Sequence, residues 1–414
     1  MPHRLGPARR LLHRLALRAL TALLWLRRRR TGSGRPRVTF LLAHAYGVGG
    51  TTRTCLNLAG HLAATHEVEI LSLVRRREMS QLTHPVGVRV TTIDDQRPTR
   101  RRWPVSRALG RLPSVLLLPT DRNVHKVASL RTDLALVRAM WRLRPGVVIG
   151  TRPSLIEVAI AARSAQRRVV AQEHLNLESY RPELRPVLLD CYQNVDAAVL
   201  LTEHDLAAVR AELGEEAAVV RIPNAVPHLP GRLATLNSRV IVAVGRLTPQ
   251  KGFDRLIEAF APVAALHPDW VLRICGGGPE LPYLRERIAF HGLESNVQLK
   301  GTVLRIEREL SRASIFAMSS RFEGLPMAML EAMSKGLPVV SFDCPTGPSE
   351  VIEHLRSGLL VPDGDVDALS DAILALVEDP MLRKRLAEGA LERSDAFSID
   401  TVGARWRELL ATLE

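Results

Sequence analysis

Two doubly wound α/β domains in tandem are what this sequence predicts, from three observations. Short apolar, β-rich runs alternate with helical stretches along most of the chain. A Pro- and Gly-rich stretch at 223–238, PNAVPHLPGRLATLNS, divides that alternation into two series and reads as a linker. The length of 414 residues matches two or three domains of about 100–200 residues each. With 46% hydrophobic and 24% charged residues, the chain is neither disordered, collagen-like nor a disulfide miniprotein. Aromatics at 4% argue against a base-stacking single-strand binder.

The first element is the segment 8–30, ARRLLHRLALRALTALLWLRRRR. Arg14 and Arg18 interrupt its apolar run, and no small-residue cleavage site follows, so it is not a signal peptide. The charge-free run 19–26 falls well short of the roughly 20 residues that a spanning helix needs. On a helix, Arg10, Arg14 and Arg18 share a side, while Leu12, Leu15, Leu20, Leu23 and Leu24 fall largely elsewhere. A basic amphipathic helix of this kind lies in a membrane interface and favours anionic lipid. A disordered basic tail has the same composition, and a nucleic-acid arm is a third use of it. The expected organisation is an extension over 1–36, a first domain over 37–230, and a second over 239–396. A C-terminal helix over 397–414 would pack back on the first domain.

Strands follow at 38–43, 68–73, 88–93, 147–150, 169–172, 197–201 and 219–222, with helices between most of them, for example 121–143 and 203–213. Strands apolar throughout imply a parallel sheet covered on both faces. The Arg- and Pro-rich stretch 95–120 breaks the pattern and reads as an exposed basic loop. After the linker, strands are expected at 240–244, 271–275, 297–300, 315–318, 339–342 and 359–361. Ligands of such sheets bind beyond the carboxyl ends of the strands, so the loops after the strands are where chemistry belongs.

Charge is uneven. No Asp or Glu precedes Glu67, and residues 1–230 hold 36 Lys and Arg against 18 Asp and Glu. Residues 231–414 hold 21 against 25, so an anionic partner is expected for the first half only. Cys55, Cys191, Cys275 and Cys344 are too far apart for a metal or redox motif, which fits a reducing, cytoplasmic chain.

Four loops carry candidate chemistry. HAYGVGGTTRT (44–54) follows the first strand, and Gly47, Gly49 and Gly50 allow a ligand close to the amides of the next helix; a purely steric turn is the alternative. In VGRLTPQKGFDRLIEAF (244–260), Arg246 and Lys251 flank a turn before a helix capped by Asp254; two cations at one strand end suit a diphosphate. CGGGPELPYL (275–284) again runs strand, glycines, helix, with Pro279 near the first turn and glycines that permit close approach of a ligand. In SSRFEGLPMAMLEAMSKGLPVVSFD (319–343), Glu323 lies in the loop before a helix beginning near Pro326, and Glu331 on its second turn. The helix start can hold phosphate while the carboxylates accept sugar or ribose hydroxyls.

Together, GRLTPQKG, GGGPE, SSRFEGLPMAMLEAMSKGLPVV and SGLLVPDGD resemble the retaining GT-B glycosyltransferases of family 4, in order and spacing over about 240–395. Over 38–235 the resemblance is carried by GVGG, QEH and RIPNAV, and it does not reach 1–36. It implies two Rossmann-like domains facing a cleft, with a UDP- or GDP-linked sugar donor held by the second and no resident cofactor or metal. Gly245, Arg246 and Lys251 would bind the donor diphosphate. Gly324 and Leu325 would offer amides to phosphate, and Glu331 would bond the ribose. Glu323 would stabilise positive charge at the anomeric carbon, and Gly301 and Val303 would lie near the base. In the first domain, Gly49 and Gly50 would face the donor phosphates. His174 in VVAQEHLN, preceded by Glu173, is the candidate near the donor sugar, with His204 as runner-up.

The resemblance further implies retention without a dedicated protein base, the leaving phosphate assisting the incoming hydroxyl. Arg75, Arg76 and Arg77, Arg100, Arg101 and Arg102, and the basic start point to an anionic or lipid-linked glycan acceptor of the cell envelope. They also point to peripheral contact with an anionic inner membrane face; nucleic acid is not an expected partner. FDCPTGPSE and GVGGTTR look most like enzymes of envelope polymers, teichoic-acid and capsule glycosyltransferases included. A sugar-nucleotide epimerase on the same fold, or a catalytically silent partner subunit, are the competing readings. Intact Arg246, Lys251, Glu323 and Glu331 speak against the silent subunit.

Overall fold

The computed structural model describes residues 7–25, 34–47, 49–80, 82–100 and 103–414. Residues 1–6 and 26–33, with the run Arg27 to Arg30 of the basic extension, lie outside the described residues, as do Val48, Gln81, Arg101 and Arg102. The chain divides into two compact units: Met1–Ile222 with Gly403–Glu414, and Pro223–Val402.

The first unit holds strands β1 (Arg37–Leu42), β2 (Glu67–Arg75), β3 (Val88–Asp95), β4 (Gly146–Gly150), β5 (Arg167–Gln172), β6 (Ala197–Leu200) and β7 (Val219–Arg221). They form a parallel sheet in the order β3-β2-β1-β4-β5-β6-β7. All six residues of β1 are buried, so helices must cover both faces. The helices are α1 (Pro7–Trp25), α2 (Gly50–Leu62), α3 (Pro104–Leu109), α4 (Arg122–His125), α5 (Leu130–Arg142), α6 (Pro153–Ala161), α7 (Arg185–Asn194) and α8 (Glu203–Leu213). The last shows why local signals suffice where they agree. Thr202 caps it by accepting from the Asp205 amide at 3.1 Å, and Gly214, at φ 91°, ends it.

Three features differ from the sequence reading. The helix expected over 121–143 is broken into α4 and α5, because Ser129 opens a new capping box with Thr132. Asp121, at the expected start, is fully buried against Arg152 at 2.9 Å. The stretch 95–120 is not wholly an exposed loop: α3 lies within it, and Leu116, Leu117 and Leu118 enter the core. Asp133 holds that turn through Ser114 and the Val115 amide. Finally, α1 is not free of the domain behind it. Leu20 and Leu24 join the core of the first unit, with Ala16 and Leu17 packed against it. His13 meets Glu157 of α6 at 3.2 Å. These residues lie three, four or seven positions apart, one face of a helix. Among the described residues no helix is long and apolar enough to cross a membrane.

The second unit holds β8 (Val240–Val244), β9 (Val271–Cys275), β10 (Val297–Gly301), β11 (Ile315–Met318), β12 (Val339–Asp343) and β13 (Gly358–Pro362), parallel, in the order β10-β9-β8-β11-β12-β13. Its helices are α9 (Phe253–Leu266), α10 (Leu281–Phe290), α11 (Ile306–Leu310), α12 (Met327–Met333), α13 (Pro348–Val351), α14 (Val366–Glu378) and α15 (Pro380–Asp395). A further helix, α16 (Ile399–Leu413), begins in this unit and contributes its later residues to the first. There Trp406 and Leu410 are buried, and Arg407 meets His61 at 3.0 Å.

The Pro-rich linker is fastened rather than loose over much of its length. The Lys335 ammonium, almost fully buried, donates to the carbonyls of Leu229, Pro230 and Gly231 at 2.8–3.1 Å. The Val226 amide donates to Phe397. A buried ammonium is tolerable because three carbonyls replace its water shell.

Candidate active site

Each sheet reverses its winding at one point, and that is where a doubly wound fold opens a crevice beyond the carboxyl ends of its strands. In the second unit the reversal lies between β8 and β11. The loop after β8 carries Gly245, Arg246 and Lys251; the loop after β11 carries Ser319, Ser320, Glu323 and Gly324. Strand pairing thus brings together residues some 70 positions apart. Lys251 Nζ donates to Glu323 Oε1 at 2.5 Å, and Ser320 Oγ donates to the same oxygen at 2.5 Å. Arg321 binds Asp254 through two nitrogens at 2.7 and 3.0 Å. The Arg321 amide donates to Gln250, and Ser319 Oγ to the Lys251 carbonyl.

Gly245 leaves room for the Lys251 stem, whose Cγ would lie 3.1 Å from an added Cβ. Arg246 projects as an exposed side chain with no ion-pair or hydrogen-bond partner among the described residues. The site therefore offers one cation held by a carboxylate and one that is uncommitted. Glu331 is buried on the second turn of α12, and Leu325 is buried just before that helix. Gly301, at φ 67°, ends β10 and Val303 follows it, and both are half-buried.

Several local expectations change. Asp254 does not cap α9; Gly252 does, at φ 59°, and Asp254 turns instead to Arg321. A side chain at Gly252 would collide with the Ser319 carbonyl, so this glycine is required by the packing of the two loops. The glycines of CGGGPE serve packing as well. A Cβ at Gly276 would strike the Gly245 carbonyl, and one at Gly278 the Leu247 carbonyl. They admit a neighbouring backbone, which is a different use from admitting a ligand. Pro279 precedes α10, whose first turn holds Pro282.

No sequence signal marks Ser320 as a Glu323 partner, or marks Thr346. Thr346 adopts φ 61°, uncommon for a β-branched residue, and its hydroxyl donates to the Glu323 carbonyl. Gly347 packs on the Gly324 carbonyl where no Cβ fits. The CPTG turn is thus a strained brace for the Glu323 loop. The positive φ needed at Thr346 leaves no mark in composition.

In the first unit the reversal lies between β1 and β4. Gly49 is the N-cap of α2 and offers no side-chain cap, and among the described residues nothing lies within 4 Å of a Cβ built at Gly47, Gly49 or Gly50. None of the three has positive φ, so a steric turn does not account for them, and open ground remains in front of the helix amides. His174 follows β5 and is half-buried, its Nε2 3.5 Å from Cys55 Sγ, while its Nδ1 has no hydrogen-bond partner among the described residues. Burial, reinforced by Arg152, lowers its pKa to about 3, so the ring is neutral and can only hydrogen-bond. Glu173 accepts from the Tyr180 hydroxyl at 2.7 Å. Burial raises its pKa to about 7, opposed by the tyrosine hydrogen bonds and Arg152. His204 is exposed on the first turn of α8, away from such surroundings.

Two parallel sheets with their polar loops at the winding reversals define the class: a two-domain α/β protein of the GT-B glycosyltransferase fold. The crystal structure of the Anabaena protein HepE with UDP and glucose shares it, with a TM-score of 0.71 at 20% identity over 91% of this chain and 100% of that one. Residues 231–393 match the family described as Glycosyl transferases group 1. A GDP-mannose-dependent alpha-(1-6)-phosphatidylinositol monomannoside mannosyltransferase of Mycolicibacterium smegmatis is 30% identical over 278 residues, 61% of this chain and 72% of that protein. The chain belongs to the glycosyl transferases group 1 family. An exopolysaccharide phosphotransferase of Streptomyces coelicolor is 34% identical over 387 residues, 91% of this chain; the chain spans only 41% of that protein's length.

Proposed function

We propose that the protein is a retaining, metal-independent glycosyltransferase. It moves a sugar from a UDP- or GDP-linked donor to an anionic or lipid-linked acceptor of the cell envelope, at the cytoplasmic membrane face. The observation that carries this reading is the pairing of Lys251 with Glu323 beside the uncommitted Arg246, at the winding reversal of the second unit. Arg246 and Lys251 neutralise the leaving diphosphate, the charge that develops as the bond breaks. Lys251 has further N–H donors to offer while it keeps Glu323. Glu323 faces the anomeric carbon as positive charge grows there, and Glu331 bonds the ribose. Amides of Gly324 and Leu325 meet phosphate, and Gly301 and Val303 flank the base.

In the reaction the bond from C1 to the diphosphate oxygen breaks, and a bond from C1 to the acceptor oxygen forms on the same face. The acceptor proton passes to the leaving phosphate, so no protein base is needed. His174, neutral, donates a hydrogen bond to the donor sugar, and Gly49 and Gly50 meet the phosphates. The phosphatidylinositol-linked acceptor in the name of the mycobacterial relative, together with the basic first unit, supports an acidic, lipid-borne acceptor. The exposed leucines and arginines of α1 support contact with anionic lipid.

The test is a donor panel with nucleoside diphosphate release as the readout, followed by the anomeric configuration of the product. Release from no donor, with or without envelope lipid extract, would refute the reading; an inverted product would remove its stereochemical part.

A further inference from the structure

We propose that α1, α3 and α5 form one composite docking face of the first unit for an anionic lipid bilayer, with Trp25, Trp103 and Trp141 as its interfacial anchors. This rests on the membrane-face reading above and specifies the surface that meets the lipid. The five tryptophans of the chain fall into two sets. Trp270 and Trp406 are buried, as core tryptophans are. The other three reach the surface, Trp25 by 83%, Trp103 by 84% and Trp141 by 38%, and each belongs to or directly precedes one of these three helices. α5 packs against both α1 and α3, so the three form neighbouring parts of one region. Tryptophan is the side chain that partitions to the boundary between headgroups and acyl chains, where its ring is apolar and its N–H is wet.

The rest of the face has the same character. Leu11, Leu12 and Leu15 of α1 are each at least half exposed, on the side of the helix away from buried Leu20 and Leu24. Val105 and Leu112 at α3 and Leu134 on α5 are exposed too. Six exposed arginines lie among them: Arg14, Arg18, Arg107, Arg111, Arg138 and Arg142. None has an ion-pair or hydrogen-bond partner among the described residues, whereas Arg97, Arg163 and Arg185 elsewhere in this unit are all paired. None of the three helices carries an exposed carboxylate. None precedes Glu67, and between residues 96 and 156 only Asp121 and Asp133 occur, both buried.

Large apolar side chains beside unpaired arginines, with no exposed acid, match an anionic bilayer. The rings and leucines enter the acyl boundary while the guanidinium groups snorkel to the headgroups. A protein partner of ordinary mixed charge would leave most of these arginines unmatched. Because α1 contributes two buried leucines to the core, the face is part of the folded unit rather than an appended tail.

The experiment is co-sedimentation of the full chain with vesicles of phosphatidylcholine, with and without phosphatidylglycerol. Wild type is compared with Trp103→Ala/Trp141→Ala and with Arg107→Glu/Arg111→Glu. Donor hydrolysis, which uses none of these residues, confirms that each variant is folded. Wild type should pellet with the anionic vesicles, its tryptophan emission shifting to the blue. Partitioning should fall on the order of tenfold or more in the tryptophan pair, and further, selectively on anionic vesicles, in the charge-reversed pair. Equal binding by wild type and both variants would overturn the composite face while leaving attachment through α1 standing. No binding by wild type to either vesicle would sink the membrane reading itself. If the variants bind less only because wild type self-associates through the tryptophans, sedimentation velocity without lipid would show a dimer, and the proposal falls.

Discussion

The carboxyl ends of the two sheets differ in their electrostatics. In the second unit, the loops after β8 and β11 keep their charges and tie them to each other, Lys251 to Glu323 and Arg321 to Asp254. In the first unit, burial disfavours the charged forms of the residues after β5. His174 is neutral because burial pulls its pKa to about 3, Glu173 is pushed up to about 7, and burial drives the Cys55 thiol far up. One sheet end keeps its charges in pairs, and the other suppresses them by burial.

The comparison breaks first at Arg246 and Lys251. Replacing either with alanine should lower turnover on the order of 10²-fold or more, as for loss of charge stabilisation on a leaving group. Steady-state kinetics of the two variants near wild-type values would remove the second unit's charges from the mechanism.

Glu173→Gln tests the first unit. With a folded pKa of about 7 against an ordinary 4.5, the native state binds more protons than the unfolded chain between those values. Wild-type stability should therefore fall as pH rises through that window, by about 3 kcal/mol in total. The glutamine variant should lack this slope and be the more stable of the two at pH 8. Parallel urea-melt profiles from pH 4.5 to 8 would show that Glu173 is not a buried, discharged carboxyl.

Leu20→Ala asks whether α1 belongs to that same unit. A buried leucine truncated in an outer helix should cost about 2 kcal/mol, measured by urea denaturation. An unchanged midpoint would return α1 to the status of an appendage.

His174 sharpens the contrast without a substitution. Its ring signals in a proton NMR titration should show no shift between pH 5 and 8, since the group titrates near 3. A transition near neutrality would make it a potential cation and erase the distinction between the two ends. The smallest expected effect is none at all: EDTA should leave turnover unchanged, because in the proposed mechanism Arg246 and Lys251 supply the positive charge. Loss on chelation with recovery on Mg²⁺ or Mn²⁺ would replace that account with a metal.

Much of the fold was legible because strands buried on both faces are written as short apolar runs. β8, β9 and β11 have the ends that VIVAV, VLRIC and IFAM mark. The break at Ser129 was not, because the apolar period continues across it while a side-chain cap restarts the helix. At the site, the residue types at Arg246, Lys251 and Glu323 could be read from loop position. That Lys251 meets Glu323 could not, since it depends on β8 lying beside β11. Asp254 was read as a cap for the same reason, its partner Arg321 being distant in sequence. Gly276 and Gly278 were read as making room for a ligand because a crowding backbone carbonyl has no signature of its own.

The last feature to consider is the passage of residues 403–414 back into the first unit, with Trp406 and Leu410 buried there. Synthesis runs from one end, and the second unit is made in between. At roughly 5–20 residues per second, about 10–40 s separate the end of the first sheet from the arrival of its closing helix. During that interval the first unit waits with an apolar surface open, the surface that Trp406 later covers. A cell making this protein must shield that surface in the meantime, and a stalled or shortened chain would expose it permanently. The order of the genetic message, rather than any contact in the finished molecule, sets how long that surface stays open.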